Sequence, residues 1–246
     1  MKSVSLETKL PKEDVCFYDA EEAPFRIYGL LKDAGRFRRL PLSLAEKLNR
    51  HAGLLHACTA GGKVRFRTDS PYIAIHADMV MYGLENFSVA SSITAVAAFD
   101  MYTVEEGEFH HAGWFVPSRD PRRGYEALIE LETTAEEYVV APALDGGDTK
   151  RIEGEGAKMR EIVINFPMWS EVKKLYIGVS KDARIEAGGD FVNEKPVVFY
   201  GSSITQGGSA PRPGLTYEEF LSRRFHMNYL NLGFSEGALG EEEIAE

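Results

Sequence analysis

The residue pattern predicts a mixed β and α/β fold, an N-terminal β-sandwich or jelly roll followed by the first βαβ portion of an α/β domain. Three observations carry this. Short β-type runs separated by turn residues fill the chain from about Phe25 to Val179, without the regular helical alternation that parallel crossovers require. An apolar run bounded by Pro and Gly, Pro196-Val197-Val198-Phe199-Tyr200-Gly201, then enters the sharp turn Ser202-Ser203-Ile204-Thr205-Gln206-Gly207-Gly208. A helical pattern and a second apolar run, Asn228-Tyr229-Leu230-Asn231-Leu232, complete the order strand, helix, strand.

Phe25-Arg26-Ile27-Tyr28-Gly29-Leu30 is the first strand candidate. Leu42-Ser43-Leu44-Ala45-Glu46-Lys47-Leu48 has leucines at helical spacing and reads as a short helix in a connection. Val64-Arg65-Phe66-Arg67-Thr68 alternates like a half-buried strand, and Asp69-Ser70-Pro71 turns the chain. Tyr72-Ile73-Ala74-Ile75-His76-Ala77 then reads as the second half of a hairpin. Further strands are expected at Ala95 to Tyr102, Glu126 to Glu132, Ile162 to Phe166 and Leu175 to Val179, with Asp145-Gly146-Gly147-Asp148 as a loop. Gly188-Gly189-Asp190 through Lys195 has the small, charged composition of a linker. The sandwich is therefore expected over 1–190 and the α/β portion over 195–246.

In that second portion, Thr216-Tyr217-Glu218-Glu219 has the form of a capping box, with Thr216 as N-cap and Glu219 reaching back. Tyr217, Phe220, Leu221 and Phe225 recur at the spacing of one apolar helix face. If the two strands are neighbours, Gly233-Phe234-Ser235-Glu236-Gly237 lies beside the serine turn and brings backbone N–H groups near Ser203. A further helix begins within Leu239 to Glu246. Two strands and one complete helix cannot cover both faces of a parallel sheet. The expectation is a piece of a longer protein, or an α/β portion that packs on the sandwich or on another subunit.

Hydrophobic residues make up 44% of the 246, enough for a substantial core. The 28 Lys and Arg against 38 Asp and Glu leave a formal net charge of -10, which disfavours nucleic acid and anionic membrane surfaces as partners. Cys16 and Cys58 are far apart, without the spacing of a zinc site or disulfide framework, and read as reduced thiols. The polar N-terminus lacks the apolar segment of a secretory signal and no stretch approaches membrane-span length, as expected of a cytoplasmic protein.

Strand ends of open α/β sheets collect ligands and catalysis, so a serine delivered there is a candidate nucleophile. Other temptations are weaker. His110 and His111 are adjacent on a strand, point to opposite faces and cannot easily share an ion. His51, His56 and His76 have no spaced carboxylate partners and read as structural, and Trp114 and Trp169 read as packing aromatics rather than sugar platforms. No cofactor or metal site is expected, and neither dinucleotide spacing nor a P-loop Gly-Lys-Ser/Thr is present.

Gly201-Ser202-Ser203-Ile204-Thr205 resembles the first sequence block, usually Gly-Asp-Ser-x-Thr, of the SGNH hydrolases, also called GDSL-like esterases and lipases. Asn231-Leu232-Gly233-Phe234-Ser235-Glu236-Gly237 resembles the second block, with Glu236 at the expected glycine. Ala98-Phe99-Asp100-Met101-Tyr102 is similar to the Gly-x-Asp-Leu-Tyr signature of the β-sandwich that precedes the catalytic domain in one bacterial subgroup. Thr59 to Phe66 and Arg212-Pro213-Gly214 are similar to the same subgroup, so the likeness covers nearly the whole chain.

The resemblance implies an SGNH-type α/β domain, a serine esterase acting on small acyl esters, in particular acetyl groups on carbohydrates, and Ser203 as nucleophile. It implies oxyanion donors at the Ser203 N–H and at the N–H of Glu236 or, by a one-residue shift, Gly237. The family's third block and its Asp-x-x-His block have no match here: no aspartate follows Asp190, and only His226 follows Ser203, at a helix end where capping the last carbonyls is expected of it. The chain alone is therefore expected to have little or no esterase activity. The rival reading is a carbohydrate-binding or structural sandwich with a non-catalytic α/β remnant.

Overall fold

The computed structural model describes residues 1–81, 92–117, 124–131 and 158–245. In chain order the strands begin with β1 (Val15–Asp19), β2 (Arg26–Tyr28), β3 (Leu31–Asp33), β4 (Arg36–Arg38) and β5 (Lys63–Thr68). They continue with β6 (Tyr72–Met81), β7 (Phe99–Glu105), β8 (Glu108–Phe115), β9 (Tyr125–Glu130) and β10 (Arg160–Asn165). The last are β11 (Ser170–Ser180), β12 (Ile185–Ala187), β13 (Val197–Gly201) and β14 (Tyr229–Gly233). The helices are α1 (Leu42–Ala45), α2 (Arg50–Leu55), α3 (Ile93–Ala97), α4 (Ser203–Gln206), α5 (Tyr217–Phe225) and α6 (Glu242–Ala245).

Two large antiparallel sheets make the N-terminal part, beside the two-stranded pair β3-β4. One runs β1-β11-β6-β9, the other β12-β5-β10-β7-β8, with β2 also on β5. Strand alternation sends one set of side chains from each sheet inward. Ile73 and Ile75 of β6 and Leu175 and Ile177 of β11 there join Phe66 of β5, Phe99 of β7 and Ile162 of β10 in a single buried cluster. Each such side chain contributes roughly 1.5–3 kcal/mol when fully removed from water.

The expected hairpin at Asp69-Ser70-Pro71 is not one. β5 pairs with β10, while β6 pairs with β11 and β9 in the other sheet, so this corner carries the chain from one sheet to the other. Ser70 builds the corner, accepting from Ser180 N at 3.1 Å and donating to Tyr72 O at 2.6 Å. The strand expected at Ala95 to Tyr102 is half helix. Ser92 caps α3 by accepting from Ala95 N at 3.2 Å, and extended backbone starts at Phe99. Of the segments expected around residues 126–132 and 145–148, Glu132 and Asp145-Gly146-Gly147-Asp148 lie outside the described residues.

β13 and β14 pair in parallel from Val197 opposite Tyr229 to Gly201 opposite Gly233, the geometry expected of a βαβ unit. Two expectations about burial fail here. Val197, Val198 and Tyr200 are 41%, 54% and 40% exposed, because among the described residues β13 has only β14 beside it. α5 turns its polar face inward: Glu218, Glu219 and Ser222 are buried, whereas Tyr217, Phe220 and Phe225 are exposed. The capping box is half formed. Thr216 accepts from Glu219 N at 3.3 Å, but the Glu219 carboxylate faces Lys63 of β5 at 2.5 Å and Tyr229 OH at 2.8 Å instead of reaching back.

The segment after β12 is pinned on both sides. Asp190 accepts from Tyr28 OH at 3.0 Å and pairs with Arg26, and Val192 N donates to His226 O at 2.9 Å. Cys16 and Cys58 are free thiols, and burial pushes the Cys58 thiol up to about 12. Among the described residues no helix is long and apolar enough to cross a membrane.

Candidate active site

Ser203 is the first residue of α4, directly after the exposed Ser202 at the end of β13. The helix is one turn long. Gln206 N donates to Ser202 O at 3.1 Å, and the chain leaves it through Gly207 at φ +109°. Four residues cannot hold a helix in water. The support comes from outside it.

That support starts with β14. Phe234 N donates to Gly201 O at 2.8 Å, Ser235 N to the Gln206 side-chain oxygen at 3.0 Å, and Asn231 Nδ2 to Thr205 O at 2.6 Å. The contact requires glycine at 233, since a Cβ there would overlap the Gln206 backbone nitrogen. The two turns are thereby locked side by side.

Glu236 sits in that second turn with φ +58°, a left-handed conformation that L residues other than Gly, Asn and Asp adopt at a cost of about 1–2 kcal/mol. A glutamate at this place therefore takes up the backbone geometry suited to glycine. The Gly237 N–H is engaged, donating to Phe234 O at 2.9 Å, whereas among the described residues no hydrogen bond engages the Glu236 N–H. The Glu236 carboxylate projects into solvent, 3.8 Å from His51 Nδ1.

The Ser203 hydroxyl has no hydrogen-bond partner among the described residues, and Ser203 is half-buried. His226 is elsewhere. It caps α5 at φ +50° by donating its N–H to Ser222 O, and its ring lies 5.8 Å from that of Phe109 beside the β7–β8 turn. Among the described residues no base is hydrogen-bonded to Ser203.

A buried arginine holds the back of the site. Arg39 is 0% exposed and donates to Asn231 O at 3.3 Å, to Gly233 O and to Leu55 O at 2.6 Å, with Phe234 stacked 4.5 Å away. Burial pulls its guanidinium down to about 10. Among the described residues no carboxylate pairs with it, and main-chain carbonyls and the Asn231 side-chain oxygen, at 3.2 Å, carry the compensation. The pattern Arg38-Arg39 before a helix signals nothing of this, because the partners lie some 190 residues on.

His76, read as lacking a carboxylate, acquires one through the fold, and His111 is paired with one as well. His76 Nδ1 lies 2.8 Å from Glu126 Oε1, and His111 Nε2 lies 2.9 Å from Asp100 Oδ1. His56 keeps structural company, its Nδ1 being 2.7 Å from Gly53 O, and burial lowers its pKa. Trp169 is buried and Trp114 is 46% exposed. Among the described residues no group of three or more His, Cys, Asp or Glu could hold a metal ion.

Two family models match. That for the GxDLY domain, the N-terminus of Esterase SGNH hydro-type proteins, covers residues 15–185, and that for the GDSL-like Lipase/Acylhydrolase family covers residues 194–246. No curated protein matches the chain. Among solved structures, a chain described as a GDSL-like lipase from Bacteroides ovatus ATCC 8483 is 27% identical with a TM-score of 0.74, over 94% of this chain and 60% of that one. The salicylyl-acyltransferase SsfX3 from a tetracycline biosynthetic pathway is 18% identical with a TM-score of 0.62, over 91% of this chain and 55% of its own. The latter likeness is one of fold. The chain thus spans about 60% or less of the length of these two structures. With the strand-turn-helix serine and the sandwich carrying Asp100 and Tyr102 both in place, the chain belongs to the SGNH, or GDSL-like, hydrolases, in the subgroup with a GxDLY-type N-terminal domain.

Proposed function

We propose that the whole protein is a serine esterase that hydrolyses small acyl esters, acetyl groups on carbohydrates in particular, with Ser203 as nucleophile. The observation that supports this reading is the lock between the two turns, Phe234 N to Gly201 O at 2.8 Å and Ser235 N to the Gln206 side-chain oxygen at 3.0 Å, which ties the residues flanking Ser203 to the turn that carries Glu236. In this reading Ser203 Oγ attacks the ester carbonyl and passes its proton to a histidine base. The tetrahedral oxyanion is held by the Ser203 and Glu236 N–H groups until the C–O bond breaks. The alcohol leaves with that proton, and water then releases the acid from the acyl-enzyme.

The 246-residue chain assayed alone has little or no activity in this reading, since no histidine among the described residues reaches Ser203. A fluorophosphonate probe and a p-nitrophenyl acetate assay test it. The whole protein is labelled at Ser203 and loses turnover in Ser203→Ala but not in Ser202→Ala. Full turnover in Ser203→Ala, or robust Ser203-dependent hydrolysis by the 246-residue chain, would overturn it. The alternative, a carbohydrate-binding sandwich with a non-catalytic α/β portion, is favoured by sugar binding without labelling.

A further inference from the structure

We propose that Asp100 of the sandwich is a positioning residue for Ser203, acting through the loop between α4 and α5; this rests on the reading of Ser203 as the nucleophile. Asp100 lies on β7 and is 0% exposed. Its carboxylate accepts from three donors. Oδ2 takes Arg212 Nη1 and Gly214 N, the latter at 2.8 Å, and Oδ1 takes His111 Nε2 at 2.9 Å. Two of the three belong to the loop that follows the serine turn.

Tyr102, two residues along the same strand and on the same face, completes the grip. Arg212 Nη1 donates to its hydroxyl at 2.9 Å, and the hydroxyl lies 3.4 Å from Gly214 O. Gly214 is needed for the approach, because a Cβ there would overlap both Asp100 Oδ2 and Tyr102 OH. Pro211 O accepts from Ser92 Oγ at 3.1 Å and Thr94 Oγ1 at 2.5 Å. The near end of the loop is held separately: Gln206 Nε2 donates to Met168 O at 3.4 Å, and Gly207 packs against Met168.

The loop leaving the one-turn helix is thus fastened to the sandwich at Met168 and again at Asp100, and β14 supports the helix from the other side. A one-turn helix has no stability of its own to resist a shift of that loop. The Asp100 to Arg212 bond is mostly buried, with side chains 0% and 15% exposed, where a charge pair is screened little by solvent. The sandwich therefore takes part in the geometry of the serine turn.

Amide hydrogen exchange on the 246-residue chain tests the strap without requiring activity. In Asp100→Asn and in Arg212→Gln, amides of residues 203–216 exchange at least about tenfold faster, a change of about 1.4 kcal/mol in local opening. Those of β11 and β6, in the opposite sheet, stay within about twofold of the parent. Gly214→Ala, which buries no unpaired charge, gives the same local pattern should Asp100→Asn fail to fold. In the whole protein, Asp100→Asn lowers kcat about tenfold or more with KM within about twofold, the signature of a misplaced catalytic group. Exchange over 203–216 that is unchanged, or that rises only in step with β11 and β6, overturns the proposal, as does an unchanged kcat in a whole protein that Ser203→Ala inactivates. Fast local exchange together with full turnover in Ser203→Ala would uphold the strap and sink the esterase reading instead.

Discussion

Replacing Lys63 by methionine should destabilise the chain by about 3 kcal/mol, and removing its partner as well should restore most of that. Lys63 lies on β5 with its side chain 1% exposed, and its ammonium is 2.5 Å from the carboxylate of Glu219 on α5, itself 5% exposed. Ser222 Oγ at 3.2 Å and the ring of Tyr229, 4.3 Å from the nitrogen, complete its surroundings. Burial lowers the lysine's pKa and Glu219 opposes that shift. Lys63→Met keeps the length and removes the charge, leaving Glu219 with Tyr229 OH at 2.8 Å and Arg223 at 3.8 Å. Breaking a buried pair from one side costs about 3–5 kcal/mol, and the remaining Arg223 places this case at the lower end. At about 2–4 °C per kcal/mol for a chain of this size, the midpoint should fall by about 6–12 °C. Thermal and urea denaturation followed by circular dichroism measure it. The double variant Lys63→Met/Glu219→Gln, which removes both charges of the pair, should recover at least half of the loss. A single variant within 1 kcal/mol of the parent, or a double variant no better than the single, would refute the reasoning.

Gly233→Ala drives a methyl group into the Gln206 backbone and should cost about 2–3 kcal/mol, with faster amide exchange at both turns before the sandwich is affected. Glu218 bears on pH. It is 0% exposed, neither carboxylate oxygen has a hydrogen-bond partner among the described residues, and burial raises its pKa to about 7, offset in part by the nearby Tyr217 and Thr216. The folded state therefore holds a proton that the unfolded state has already lost between about pH 4.5 and 7. Stability is lost as pH rises through that window and does not return above it. Glu218→Gln should flatten this decline and gain on the order of 2 kcal/mol at pH 8 relative to pH 5. Equal slopes for the two proteins in urea titrations across that range would contradict it.

Local chemistry made some elements legible and left others ambiguous. β13, the serine turn and β14 were readable because Pro, Gly and small hydroxyl residues punctuate short apolar runs. The corner at Asp69-Ser70-Pro71 resembles a hairpin turn in every local respect, yet which sheet receives β6 depends on partners a hundred residues further on. α5 illustrates the opposite hazard. Its apolar stripe is real, but the face that packs carries Glu219, which Lys63 and Tyr229 hold inward.

By itself, then, the sequence determined the strand-helix-strand order of the C-terminal part, the place of Ser203 at a strand end and the family, since all three rest on residue types within short windows. The tertiary structure alone decided which donors are spoken for among the described residues, Gly237 being engaged and Glu236 not. It alone joined Asp100 to Arg212 and Arg39 to Gly233. Such pairings are made across 112 and 194 positions, where no local propensity acts and only the packing of one element against another brings the atoms within bonding distance.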